Sequence, residues 1–298
     1  MSLLDRAVVA LLPAVPKLVV RRLSSRYIAG SELEDARRVV SRLNAEGKLA
    51  TVDVLGEEVT SPAEASEITR AYLDLLDLIV AGGLDANVSV KLTGLGLKLE
   101  PALARENLRA IAEHGTFVRI DMEDSSTTDA TLDLYRELVG EGFENLGVVL
   151  QAALRRTADD ARSLAGANVR LCKGIYIEPP ELAFRDSEEV RSSYVQALEV
   201  LLDGGCYVGI ATHDEWLVEQ GLRVVGERGL DPGAYEFQML LGVRPELGDR
   251  LVGDGHRLRI YVPFGRQWYE YSLRRLQENP KIAVYVAGDL GRSVFGRR

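Results

Sequence analysis

Beyond about residue 48 two hydrophobic patterns alternate along the chain. Short runs rich in β-branched and apolar residues, ATVDVL, NVSVKL, TFVRIDM, LGVVLQ, NVRLCKG, CYVGIAT, YEFQML and RLRIYVP, predict eight strands. Helical periodicity fills the intervals. In SPAEASEITRAYLDLLDLIVAGG, Ser61 is the expected cap, Pro62 the first helical residue and Glu64 the closing member of a capping box. SEEVRSSYVQALEVLLDGG predicts a second helix with a serine cap and a glycine stop. Strands alternating with helices imply parallel βαβ units. Eight of them, with apolar strands buried on both faces, predict a closed (β/α)8 barrel rather than an open sheet. Residues 1–47 read as an N-terminal helical arm and residues 48–298 as the barrel, a catalytic domain of ordinary size for that architecture.

Polar side chains gather at the C-terminal ends of these runs. Lys91 closes the second, Asp121 and Glu123 the third, Gln151 the fourth, Arg170 with Lys173 the fifth, Thr212 and His213 the sixth, Gln238 the seventh and Tyr261 the eighth. That end of an α/β barrel is where active sites form. Buried charges there must pair with each other or with ligands. The segment YSLRRLQENP follows the eighth strand and carries Arg274 and Arg275 side by side. Alone, the pair reads as a solvated helix face tied to Glu278 at i,i+3 and i,i+4 spacing. Beside such a mouth, two guanidinium forks read as a clamp for a small carboxylate.

Composition narrows the field. The chain has 298 residues, 46% hydrophobic and 27% charged, the balance of a globular protein, and its net charge of −9 argues against a general nucleic-acid binder. Cys172 and Cys206 both lie in apolar runs, as buried thiols of a reducing compartment would. His114, His213 and His256 are scattered, with no metal-ligand spacing. The apolar N-terminus LLDRAVVALLPAVPKLVV is too short and too broken by proline to span a bilayer; it reads as a docking segment for the barrel, a partner or a membrane surface. GLGLKL lacks the third glycine of a dinucleotide fingerprint, and no phosphate-loop motif is present. RLCKGIY instead offers Arg170 on a strand and a turn at Gly174 whose amides could meet a phosphate or a flavin edge. A barrel lyase using Lys91 or Lys173 as a Schiff-base nucleophile, and a silent binding scaffold, stay open on these residues alone.

The motifs VSVKL, RIDMED, VVLQA, VRLCKGIY, IATHD, YEFQ and RIYVPFG, in that order, together with Tyr271, Arg274, Arg275, Glu278 and Asn279 in a Y-x-x-R-R-x-x-E-N pattern, resemble the proline dehydrogenase family. The match spans almost the whole chain and is nearest to the short monofunctional bacterial form. It implies a distorted TIM-type barrel that oxidises L-proline to 1-pyrroline-5-carboxylate, the first step of proline degradation to glutamate, with FAD across the mouth and FMN as the alternative. It implies Lys91, Arg274 and Arg275 as the grip on the substrate carboxylate, with Glu278 holding the arginines and Tyr261 beside the proline ring. Asp121 would be the catalytic-site carboxylate that orients Lys91, and Arg170 the guanidinium beside the reactive flavin nitrogen. Met122, Gln151, Lys173, Gly174, Ile175, Thr212 and His213 would contact the flavin, and Glu57 would close the site by pairing with Arg275. The chain departs from the family's KGAY where Ile175 stands. The resemblance further implies a membrane quinone as electron acceptor, 1-pyrroline-5-carboxylate dehydrogenase as a partner, no metal, and a cytoplasmic protein peripherally associated with the inner membrane face.

Overall fold

The computed structural model describes residues 26–269 and Ser272. Eight parallel strands close into a barrel in sequence order. They are β1 (Leu49–Val54), β2 (Ala86–Val90), β3 (Val118–Ile120), β4 (Leu146–Gln151), β5 (Asn168–Cys172), β6 (Tyr207–Ala211), β7 (Tyr235–Leu240) and β8 (Leu258–Phe264). Closure is made by β1 against β8, with Leu49 opposite Arg259 and Val54 opposite Phe264. All eight expected strands are present, and each expected run overlaps its strand.

The described helices are α1 (Leu33–Ala45), α2 (Pro62–Ala81), α3 (Pro101–Ala112), α4 (Thr128–Gly140), α5 (Thr157–Arg162), α6 (Ser187–Asp203), α7 (Glu215–Glu227) and α8 (Pro245–Gly253). Helix α1 precedes the first strand. It turns Ala36, Val39, Val40 and Leu43, spaced i, i+3, i+4 and i+7, onto the junction of β1 and β8. Two expected caps take a slightly different form. Ser61 accepts from the Glu64 amide as expected, but Glu64 reaches back one residue further, its Oε2 accepting from the Thr60 amide at 2.7 Å. Helix α6 is capped by Asp186, whose Oδ1 accepts from the amides of Glu188 and Glu189, and Ser187 is its first helical residue. A carboxylate at the cap also meets the positive end of the helix dipole, which a hydroxyl does less well.

The strands are not apolar on both faces. Val52, Val88, Ile120, Val148, Leu171, Ile210, Phe237 and Val262 are buried in the main hydrophobic cluster together with helix residues such as Leu75, Leu108 and Leu198. The alternate positions hold Asp53, Ser89, Arg119, Arg170, Glu236, Gln238, Arg259 and Tyr261, which hydrogen-bond across the barrel interior. The expected all-apolar strands are thus a two-residue alternation in which buried polar groups satisfy one another. Glu236 anchors the lower part of this column, accepting from both Arg259 Nε at 2.7 Å and Gln238 Nε2 at 2.5 Å. Burial works to raise its pKa, but Arg259 and the hydrogen bonds outweigh burial and hold Glu236 below the usual carboxylate range.

Among the described residues no helix is long and apolar enough to cross a membrane, and no cluster of candidate metal ligands occurs. Cys206 is buried, Cys172 half-buried, and both are free thiols.

Candidate active site

Four of the expected site residues converge at the C-terminal mouth. Arg170 projects from β5 and Tyr261 from β8, while Lys91 follows β2 and Asp121 follows β3. Asp121 is their junction. Its Oδ1 accepts from Arg170 Nη1 at 2.6 Å and from Ser89 Oγ at 2.7 Å, and its Oδ2 accepts from the Tyr261 hydroxyl at 2.8 Å. The Arg170 guanidinium stands 5.2 Å from the Tyr261 ring centroid, within cation–π range. Its Nε donates to Gln238 Oε1 at 2.6 Å. Because Gln238 Nε2 is committed to Glu236, the amide has one orientation and can present only its oxygen to the arginine.

One expected role takes an indirect form. Asp121 does not hold Lys91 directly. The lysine donates to Asp53, with Nζ at 2.8 Å from both carboxylate oxygens, and meets Asp121 only through the Tyr261 hydroxyl, 3.4 Å from Nζ. Asp121 is already taken by an arginine, a serine and a tyrosine, so a second cation finds its acceptor on β1. Burial works to lower the Lys91 pKa, but the charges of Asp53 and Asp121 and the bonds to Asp53 outweigh it and raise the pKa. A lysine held as ammonium is a poor Schiff-base nucleophile, which counts against the lyase reading at this position.

A second polar group lies around the turns after β5 and β6. Lys173 Nζ donates to Asp214 Oδ2 at 2.5 Å, and Arg191 Nε reaches the same oxygen at 2.9 Å. The Leu240 amide donates to His213 Nε2 at 2.8 Å, which places the ring proton on Nδ1. Thr212 Oγ1 accepts from the Asp214 amide. Gln151, the last residue of β4, donates its Nε2 to the carbonyls of Met122 and Glu123 and turns its Oε1 toward Gly174. Gly174 sits at φ +95°, and a Cβ there would meet Gln151 Oε1 at 2.8 Å. Only glycine fits so close an approach at that backbone angle. The turn continues into Ile175 and into Ile177, which is 96% exposed. Exposed apolar side chains beside a glycine turn, a buried arginine and a fixed glutamine suit a planar ring with a polar rim, as in a flavin.

Glu57 lies in the loop after β1, and Glu58 beside it has a left-handed backbone at φ +52°. That conformation is braced by Thr93 Oγ1, 3.0 Å from the Glu58 amide, and by Lys98 Nζ, 2.7 Å from Glu58 Oε1. Arg274, Arg275 and Glu278 lie outside the described residues. The reading from sequence passed over Asp53, Ser89 and Glu236; polar residues alternating with apolar ones within the strands were the signal available for them.

A closed parallel barrel with ion-paired cations and buried acids converging at the strand C-termini has the architecture of an α/β-barrel enzyme, whose active site lies at that end. Residues 36–287 match the family described as Proline dehydrogenase, and the chain belongs to that family. The proline dehydrogenase of Deinococcus radiodurans is 37% identical over 274 residues, covering 89% of this chain and 88% of the relative. Proline dehydrogenase 1 of Bacillus subtilis is 38% identical over 267 residues, with 88% of each chain covered. Among solved structures, proline utilization A from Bdellovibrio bacteriovorus, inactivated by N-propargylglycine, superposes with a TM-score of 0.80 at 26% identity. That alignment covers 87% of this chain and 33% of the other, so the likeness is to one part of a longer protein. The family is flavin-dependent, and the chain aligns with most of the length of these short relatives.

Proposed function

We propose that this chain oxidises L-proline to 1-pyrroline-5-carboxylate at the mouth formed by Lys91, Asp121, Arg170 and Tyr261, using FAD and passing electrons to a membrane quinone. The observation that carries the site assignment is the unbroken set of hydrogen bonds linking Asp53, Lys91, Tyr261, Asp121 and Arg170 at the C-terminal ends of the strands. The Lys91 ammonium would meet the proline carboxylate, with Arg274 and Arg275 as the rest of the clamp, Glu278 as their support and Glu57 as the gate. The product's link to a 1-pyrroline-5-carboxylate dehydrogenase, and work at the inner membrane face, belong to the same proposal. So does the division into an arm of residues 1–47 and a catalytic barrel of residues 48–298.

The reaction removes a hydride from the ring carbon next to nitrogen and a proton from the nitrogen. A bound flavin supplies the acceptor for the hydride. This chain's residues would do the remainder. Fixing the carboxylate on cations sets which ring carbon faces inward, and orientation of that kind removes a large part of a bimolecular barrier. Arg170, locked between Asp121 and Gln238, keeps a positive charge at the floor of the mouth, where it would favour the negative charge that a hydride acceptor gains. Tyr261 would line the proline ring, its hydroxyl committed to Asp121. Gln151, Gly174, Ile175, Met122, Lys173, Thr212 and His213 would hold the flavin, the glycine turn bringing backbone amides to its rim.

The test is the visible spectrum of the purified protein. A yellow protein that bleaches anaerobically on adding L-proline, regains its colour with a soluble quinone and releases FAD supports the proposal. Release of FMN would replace only the cofactor; a colourless protein, or a flavin that L-proline does not reduce, overturns the reading.

A further inference from the structure

We infer that Asp53 is a positioning residue for substrate binding: it fixes the Lys91 ammonium at the floor of the mouth and acts on proline only through that lysine. The inference rests on the proposal that Lys91 meets the substrate carboxylate.

Asp53 lies on β1, opposite Ser89 of β2 and Pro263 of β8, and is fully buried. Both of its oxygens are 2.8 Å from Lys91 Nζ. Behind it, the Tyr72 hydroxyl of α2 lies 3.3 Å from Oδ1 while making a shorter bond, 2.6 Å, to the Ser89 carbonyl. An ammonium has three donors. Two are spent on Asp53, and the third points to the Tyr261 hydroxyl across a long 3.4 Å contact. That third donor is the one an incoming carboxylate can take at little cost.

A buried ion pair is weak grounds for a stabilising role, because desolvation offsets much of the attraction. Positioning is a better reason for this one. The groups facing Lys91 are Asp53 from β1, Tyr261 from β8, Asp121 and Glu123 after β3, Tyr176 after β5, and Arg170 from β5 beyond Asp121. Of these, Asp53 alone makes two short bonds to the ammonium, so it sets both where Nζ sits and that it stays charged.

The experiment uses the flavin-loaded full chain with Asp53→Asn, Asp53→Glu, Lys91→Met and the Asp53→Asn/Lys91→Met double variant. Two quantities are read: KM against kcat for L-proline, and the inhibition constant of cyclopentanecarboxylate, whose only titrating group is ionised throughout, at about pH 7 and about pH 9. Asp53→Asn is expected to raise KM and the inhibition constant roughly 10- to 1,000-fold, with kcat changed far less. Its inhibition constant should weaken further at the higher pH, because a buried lysine without its counter-ion loses its proton more easily. In the Lys91→Met background the same substitution should add little, the mark of two residues acting as one unit. Unchanged binding in Asp53→Asn, a loss confined to kcat, or an equal loss with and without Lys91 would each overturn the inference. Should Asp53→Asn fail to give flavin-loaded protein, Asp53→Glu decides. A raised KM with the wild-type pH profile supports positioning, and a wild-type KM overturns it. A wild-type flavin that proline does not reduce would sink the functional reading instead, a result separate from any behaviour of the Asp53 variants.

Discussion

The Tyr261 hydroxyl donates to Asp121 at 2.8 Å and lies 3.4 Å from Lys91 Nζ, so one phenol joins an acid and a lysine delivered by different strands. The hydroxyl can therefore be tested separately from the ring. A hydrogen bond to a charged acceptor contributes about 1.5–3 kcal/mol, so Tyr261→Phe should lower kcat/KM for proline on the order of tenfold or more. Tyr261→Ser, which also removes the ring, should lower it further. Steady-state kinetics of the two variants check this, and equal values for Tyr261→Phe and wild type would detach the hydroxyl from the site.

Arg170 and Asp121 should couple in stability. Arg170→Met leaves a buried carboxylate without its cation and should cost about 3–5 kcal/mol in denaturant unfolding, while Arg170→Met/Asp121→Asn should recover part of that loss without recovering proline oxidation. A double variant no more stable than the single would argue that the loss comes from packing instead.

Gly174→Ala tests the turn proposed to meet the flavin. At φ +95° with Gln151 Oε1 only 2.8 Å from a new Cβ, the turn must shift. The strain is worth on the order of 1–3 kcal/mol, so flavin affinity should fall roughly 5- to 150-fold. The flavin-to-protein absorbance ratio after dialysis reads this directly, and full retention would move the flavin contact elsewhere.

Asp214 supplies an acid-sensitive term. Burial acts to raise its pKa, but Arg191 and Lys173 outweigh burial and hold it down to about 2, against an ordinary 3.8. A group with a depressed folded pKa contributes stability that is complete above the ordinary value and is lost as pH falls through the folded one. Lys173 is well exposed, and solvent screening discounts the contribution to about 1 kcal/mol. Asp214→Asn should therefore lower stability at neutral pH and flatten its dependence between about pH 4 and about pH 2. Urea unfolding across that range is the measurement, and an unchanged slope would remove Asp214 from the acid response.

The strands, the order of units and the existence of a polar mouth were legible in the sequence because they depend on local periodicity. A run such as LGVVLQ forms a strand from its own composition, and Gln151 falls at its end wherever the barrel closes. Pro62 and Ser61 start a helix by backbone chemistry that needs no distant partner. Which inward groups meet was decided by tertiary structure. Asp53 inside ATVDVL reads as the polar member of an alternation until β1 is set beside β2 and β8, and only then does it become the acceptor for Lys91. Likewise Arg170, Gln238, Glu236 and Arg259 form one hydrogen-bonded column although 89 positions separate the first from the last. The physical reason is that strand propensity is local, whereas the stagger of eight strands closing on themselves sets which side chains share a level of the barrel, and a shift of one residue would turn every one of them to the opposite face.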